Sequence, residues 1–137
     1  MDVVALIGRI LFVLLFLGSG YAHLAQTEAM AGYAASKGVP AAKLATQISG
    51  VMMIIGAVML MLGVWADLGA LLLVVFLIPT AVLMHAFWKE TDPQTKQLEM
   101  IQFQKDIGLA GAALLIFALI VKLGPDLGLT VTDPLFG

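Results

Sequence analysis

The feature of this sequence that most constrains its fold is a series of four long apolar runs separated by short polar segments. The runs cover about residues 4–24, 41–64, 68–88 and 101–122. Each has about 20 residues, which is the length that a helix rising about 1.5 Å per residue needs to cross a hydrocarbon core of about 30 Å. Four such runs in one chain predict an all-α fold, a four-helix transmembrane bundle.

The composition is typical of a membrane protein and excludes several other classes. Of 137 residues, 61% are hydrophobic and 12% are charged, whereas soluble domains have about 25% charged residues. The net charge of −2 argues against nucleic acid as a partner, because phosphate contacts need clustered basic side chains. The chain has no cysteine, which excludes thiolate catalysis and cysteine-ligated zinc or iron–sulfur centres. We expect one transmembrane domain over residues 1–137, whose first run is a retained span rather than a cleaved signal.

The polar segment after the first run, residues 26–43, predicts a short helix at the membrane interface between the first and second spans. Thr27 can cap the start of this helix, and Gly38 can end it in a left-handed backbone conformation. Pro40 then suits the first turn of the next helix, where its missing N–H is not needed.

The last span is predicted to begin in water, before its apolar part. Asp92 followed by Pro93 is typical of a helix start, because aspartate accepts hydrogen bonds from the first turn and proline fits the first helical position. Gly124 ends the helix. The tail, residues 123–137, is predicted to be an extended or turn-rich surface segment.

Small residues predict where the spanning helices pack against one another. In the second run they recur at about seven-residue spacing, at Gly50, Gly56 and Gly63, and small residues let helices approach closely in a membrane. The last run has a small face of its own around Gly111. Residues 65–67 form a very short turn, so the second and third spans are expected to be antiparallel neighbours.

Six polar side chains are expected to share one level of the membrane, because the chain reverses direction with each span. They are His23, Gln47, His85, Gln102, Lys105 and Asp106. In a bundle they can converge on an internal pocket, where a histidine–carboxylate pair can hydrogen-bond a quinone carbonyl and transfer its proton. The alternative is that these groups only reach interfacial water from the helix ends. Their spacing carries no metal-site pattern.

Arg9 lies inside the first span, at the opposite level of the membrane. A cation there is costly unless it is paired or reaches water. Asp67, in the turn between the second and third spans, belongs to the same level. We therefore predict an intramembrane ion pair between Arg9 and Asp67, with contact to an anion or a substrate head group as the functional alternative.

The distribution of basic residues predicts the orientation of the chain. Four spans place both termini on one side, and cytoplasmic connections carry more lysine and arginine than external ones. Five lysines lie in or beside the first and third connections, and only Arg9 and Lys122 lie toward the other side. The five are Lys37, Lys43, Lys89, Lys96 and Lys105. These connections are expected to be cytoplasmic and both termini outside.

Three segments in fixed order then carry a family resemblance. They are GRIL at 8–11 with LFLGSG at 15–20, GYAASKGVP at 32–40, and HAFW at 85–88 with QFQKDIGL at 102–109. Together they resemble the DoxX family of small four-helix membrane proteins, over almost the whole chain except the tail. The matching positions are Arg9, Gly20, Tyr33, Gly38, Pro40, His85, Phe87, Trp88 and Lys105. Asp106 stands where the family is expected to have asparagine, so the resemblance implies no acid role for it.

The resemblance implies a role beside redox enzymes. Relatives include membrane subunits of a thiosulfate:quinone oxidoreductase and scaffolds associated with soluble redox and sulfur-handling enzymes. The chain is accordingly expected to be a quinone-contacting or anchoring subunit of a redox or respiratory complex in the bacterial inner membrane, without catalysis by this chain alone. No intrinsic cofactor is expected, and quinone is the candidate ligand. The expected partners are membrane lipids and either other subunits or further copies of the chain. The alternatives are a lipid- or small-molecule-binding protein without electron transfer, and a purely structural subunit.

Overall fold

The structure, a computed structural model, describes residues 1–137, and its only regular secondary structure is helical. Its helices are α1 (Asp2–Ala25), α2 (Thr27–Ser36), α3 (Ala42–Leu62), α4 (Ala66–Met84) and α5 (Pro93–Leu123), with 3-10 turns at Phe87–Lys89 and Gly124–Asp126. Four of them, α1, α3, α4 and α5, are long and apolar enough to cross a membrane. The predicted all-α fold, with four spanning helices and a short helix between the first two, is confirmed.

The helix ends follow local chemistry in most places. Asp92 accepts a hydrogen bond from the backbone N–H of Thr95 at 2.9 Å, and Pro93 occupies the first turn of α5, as predicted. Gly38, just after α2, has a left-handed φ of +83°. The third span differs from its predicted range, because α4 ends at Met84 rather than near residue 88. His85 therefore lies on the turn after α4, where its side chain can approach α5.

The spanning helices pack in the order α1, α3, α4, α5, and each contacts the next. Glycines allow two of these contacts. A Cβ atom added at Gly20 would lie 2.9 Å from the carbonyl oxygen of Gly50, between α1 and α3. One added at Gly56 would lie 3.0 Å from the carbonyl oxygen of Gly69, between α3 and α4. The first contact is near the α2 end of the bundle, and the second is near the short turn at the other end.

Helix α2 covers one end of the bundle. It packs against α3 and α1 and buries Ala31 and Ala34. Its outer turn is linked to α5, because the hydroxyl of Tyr33 donates to Oε1 of Glu99 at 2.8 Å. The short helix is thus part of the packed structure. It packs against α1 and α3 and is hydrogen-bonded to a side chain of α5.

The tail covers the opposite end. The tail is a turn-rich and mostly exposed segment, as predicted, but it also turns back over the α3–α4 connection and buries Leu127. The backbone N–H of Val131 donates to the carbonyl of Gly63 at 3.1 Å, and the N–H of Trp65 donates to Oγ1 of Thr132 at 2.8 Å. Gly63 has a φ of +70°, and a Cβ there would lie 2.6 Å from the Thr130 side chain. Hydrogen bonds to the α3–α4 connection therefore hold the tail in place.

Candidate functional site

A cavity of about 680 Å³ lies between the four spanning helices and α2. Cavities of this size hold small organic ligands. Much of the wall is apolar, including Leu15, Phe16, Met53, Val75, Phe76 and Leu77. A ligand with a large apolar part would fit this wall without leaving polar groups unpaired.

The polar groups of the cavity are concentrated toward the end covered by α2. Tyr33 of α2, His85 on the turn after α4, and Lys105 and Asp106 of α5 all line the wall there. Asp106 is only 5% exposed, and its Oδ1 lies 3.8 Å from Nζ of Lys105, the pairing that a buried carboxylate usually needs. The cavity therefore combines an apolar body with a cluster of hydrogen-bonding and ionisable groups.

His85 lies between two carboxylates. Its Nδ1 is 2.6 Å from Oε2 of Glu99, and its Nε2 is 3.6 Å from Oδ2 of Asp106. Glu99 and Asp106 are seven residues apart, about two helical turns, so both project from one face of α5. An imidazole in this position can carry a proton on either nitrogen, which is what proton transfer through a histidine requires.

Glu99 joins the histidine to the surface of the bundle. Its Oε1 accepts a hydrogen bond from Tyr33 and lies 3.5 Å from Nζ of Lys37, which in turn donates to Oε1 of Glu90 at 3.0 Å. Burial and then the hydrogen bond to the Glu99 carboxylate raise the pKa of Tyr33, so its phenol stays protonated. The hydrogen bond to Glu90 raises the pKa of Lys37. A series of ionisable groups thus runs from the exposed connection to the cavity wall.

His23 contributes to a different part of the same cavity. Its Nδ1–H donates to the carbonyl oxygen of Ser19 at 2.7 Å, which leaves Nε2 as the acceptor of the neutral ring. The ring also lies edge-on to Phe76, with centroids 6.2 Å apart. His23 is therefore held in place by its own helix and by α4.

Four of the six predicted pocket residues line the cavity: His23, His85, Lys105 and Asp106. The two amides do not. Gln47 lines a separate groove on the outside of α3, and Gln102 is exposed and accepts a hydrogen bond from Lys105.

Sequence reasoning did not predict two contacts of the site: the hydrogen bond of Glu99 to His85 and that of Tyr33 to Glu99. Glu99 itself was overlooked, although its seven-residue spacing from Asp106 was a usable signal. The sequence marks Tyr33 as a position shared with the family but does not predict its contact with Glu99. No group of three or more histidine, aspartate or glutamate side chains is arranged to hold a metal ion.

The structure does not contain the predicted ion pair between Arg9 and Asp67. Nη2 of Arg9 donates to the carbonyl oxygen of Leu129 at 2.7 Å, and Oδ2 of Asp67 accepts from the N–H of Phe136 at 2.6 Å. Both charged side chains are buried, at 5% and 0% exposed. The tail backbone therefore contacts one nitrogen of Arg9 and one oxygen of Asp67, while Nε and Nη1 of Arg9 and Oδ1 of Asp67 are buried without a hydrogen-bond partner.

Comparison with known proteins places the chain in a family. A family model described as DoxX matches residues 4–86, which ends just after His85 and leaves α5 outside the match. The chain is also 34% identical over 114 residues to the inner membrane protein YphA of Escherichia coli, a match that covers 83% of this chain and 81% of that protein. No solved structure matches the chain.

Proposed function

This chain belongs to the DoxX family, and from that premise and the geometry of its cavity we propose that it is a quinone-contacting membrane subunit serving a redox complex. The observation that carries the proposal is an apolar cavity of about 680 Å³ with His85 and Asp106 in its wall. A quinone is a mostly apolar molecule with two carbonyl oxygens that accept hydrogen bonds. The cavity offers an apolar wall for the body of the quinone and hydrogen-bond donors for its carbonyl oxygens.

The polar cluster would bind the quinone head group and supply its protons. Reduction of a quinone to a quinol takes up two electrons and two protons, and the quinol oxygens carry the protons. The electrons come from a redox partner. His85 is the residue placed to donate a proton to a carbonyl oxygen in the cavity, and Glu99 and Lys37 lie behind it toward the exposed connection.

The environment of the protein supports the same role. Four apolar helices make it a multi-pass membrane protein, and the Escherichia coli relative is named as an inner membrane protein. We propose the bacterial inner membrane as the location, with the cavity cluster at the cytoplasmic level and both termini outside. Isoprenoid quinones dissolve in the same bilayer, so the ligand and the cavity are in one phase.

The proposal is tested by quinone binding to the purified protein. The chain is extracted in a mild detergent, retained quinone is measured after solvent extraction, and the affinity for decylubiquinone is measured by quenching of tryptophan fluorescence. We expect His85→Ala and Asp106→Asn to weaken binding about tenfold or more, which corresponds to about 1.4 kcal/mol. The control is Asp126→Asn, an exposed carboxylate near the other end of the bundle.

Other outcomes separate the alternative functions. A purely structural subunit would retain its partners in a gentle pull-down but bind no quinone, and the two variants would have no effect. A lipid-binding protein without electron transfer would retain phospholipid instead. Either result contradicts the proposed function.

A further inference from the structure

The cavity is open sideways, toward the surface that faces lipid. Its wall includes three strongly exposed apolar side chains from the two middle helices: Ile48 of α3, 51% exposed, and Val75 and Leu83 of α4, 57% and 49% exposed. Leu15 of α1, which is 48% exposed, lines the same cavity, so exposed side chains border it on more than one side. The three exposed residues of α3 and α4 mark one opening, between these two helices.

An apolar groove continues from this opening. It has a volume of about 380 Å³ and is lined by Gln47, Ile48, Val51, Met52, Ile55 and Leu72. Ile48 and Met52 belong to the walls of both the cavity and the groove, so the two spaces are adjacent.

The groove has a defined length and a closed end. Along α3 it extends from position 47 to position 55, which is about 12 Å of helix. Beyond Ile55, Gly56 brings α3 against α4, and a Cβ at Gly56 would lie 3.3 Å from the Cβ of Leu72. The groove therefore ends where the two helices come into contact.

The backbone of α4 is interrupted beside the opening. Pro79 lines the cavity and has no N–H to donate to the carbonyl of Val75. The hydroxyl of Thr80 donates to the carbonyl of Phe76 at 2.7 Å, which engages a neighbouring turn of the same helix. The wall next to the opening thus has one fewer internal hydrogen bond than an uninterrupted helix.

We propose that the ligand of this cavity is an amphiphile with a long apolar chain, which leaves the cavity between α3 and α4 and lies along the outer groove. This inference rests on the proposed function, which makes the ligand an isoprenoid quinone: its head group occupies the cavity and its tail occupies the groove. The ligand then reaches its site from within the bilayer without crossing water. In a membrane the tail gains little from leaving lipid, so its contribution is close packing against α3 and α4.

Groove-filling variants test the proposal. Val51→Trp and Ile55→Trp place a large ring in the groove, and both positions are exposed, at 46% and 48%, so the fold has room for the substitution. The control is Leu115→Trp on α5, which is 62% exposed and lies outside the cavity and the groove. The probes are decylubiquinone and the ubiquinone head group without a chain. Comparing each variant with the wild type cancels the different partitioning of the two probes into detergent.

We expect the two groove variants to weaken decylubiquinone binding about tenfold and to change head-group binding by less than about twofold. The control variant should bind both probes like the wild type. Equal loss of both probes, or no loss of either, overturns the groove proposal while leaving the proposed function in place. If the wild type binds neither probe, the proposed function fails and this inference fails with it. Native mass spectrometry that finds a phospholipid retained by the wild type and lost from Val51→Trp overturns the assignment of the groove to quinone.

Discussion

At the scale of single residues, His85 owes its surroundings to the place where α4 ends. The helix stops at Met84, and the histidine lies on the following turn, within 2.6 Å of Glu99 and 3.6 Å of Asp106. On a longer α4 the same side chain would point along a helix face. The early end of the helix therefore creates the histidine–carboxylate contact.

Glu99 makes more hydrogen bonds than any other residue of the cluster. It accepts hydrogen bonds from His85, Tyr33 and Lys37 and is 8% exposed. Glu99→Gln keeps the size but removes the charge, and we expect it to lower the free energy of unfolding by about 1–3 kcal/mol, because charge-assisted hydrogen bonds in a buried site become neutral. The measurement is thermal unfolding in detergent.

Glu28→Gln is the matched control for this substitution. Glu28 pairs with Lys43, but its side chain is 80% exposed, and exposed pairs contribute less than about 1 kcal/mol. If Glu99→Gln is no more destabilising than Glu28→Gln, the charge of Glu99 does not stabilise the fold.

At the scale of secondary-structure elements, glycines separate two kinds of helix surface. Gly56 lies within the α3–α4 contact, whereas a Cβ added at Gly111 would meet nothing within 4 Å. The sequence alone marks both as small residues on helix faces. The structure shows that the first is internal and the second faces outward.

This difference predicts opposite results for the same substitution. Gly56→Val forces α3 and α4 apart and should lower stability by about 1–3 kcal/mol, as overpacking does. Gly111→Val should leave the thermal midpoint of the isolated protein unchanged or raise it slightly, since valine in an open helical position removes glycine's backbone freedom. Thermal unfolding of the two variants in the same detergent measures this, and equal destabilisation would contradict the assignment of Gly56 to the contact.

Gly111→Val also reports on partners. If it leaves the isolated protein stable but reduces the amount of a complex recovered in a gentle-detergent pull-down, the open face of α5 binds another subunit. Recovery at the wild-type level excludes that face as an essential contact.

At the scale of the whole molecule, the two ends of the bundle are built differently. One end has α2, the cavity cluster and the lysine-rich connections. The other is covered by the tail, whose backbone binds Arg9 and Asp67. The orientation predicted from the basic residues would place the first end in the cytoplasm.

The absence of cysteine from the sequence makes the orientation directly measurable. Lys96→Cys, between α4 and the apolar part of α5, and Asp133→Cys, in the tail, are both exposed positions. With a membrane-impermeant maleimide on intact spheroplasts, we expect the tail cysteine to be labelled and Cys at position 96 to react only after lysis. The reverse pattern would invert the proposed orientation.

The sequence by itself determined the helical spans, their number and several of their ends. Apolar runs of about 20 residues have one favourable backbone solution in lipid, because every N–H and C=O must be bonded within the segment. Local signals such as Asp92–Pro93 and Gly38 act over a single turn, so they could be recognised without knowing the fold. The expectation that His23, His85 and Asp106 share one level also needed only chain direction and length.

The tertiary structure alone decided which of these groups touch. Level in the membrane fixes one coordinate, while contact also depends on the rotation of each helix about its axis and on where it stops. For that reason Gln47 and Gln102 lie outside the cavity wall, Glu99 becomes the partner of His85, and Arg9 and Asp67 each bind the tail backbone instead of each other. Long-range packing sets all three outcomes, and it involves residues too far apart in the chain for any local pattern to report.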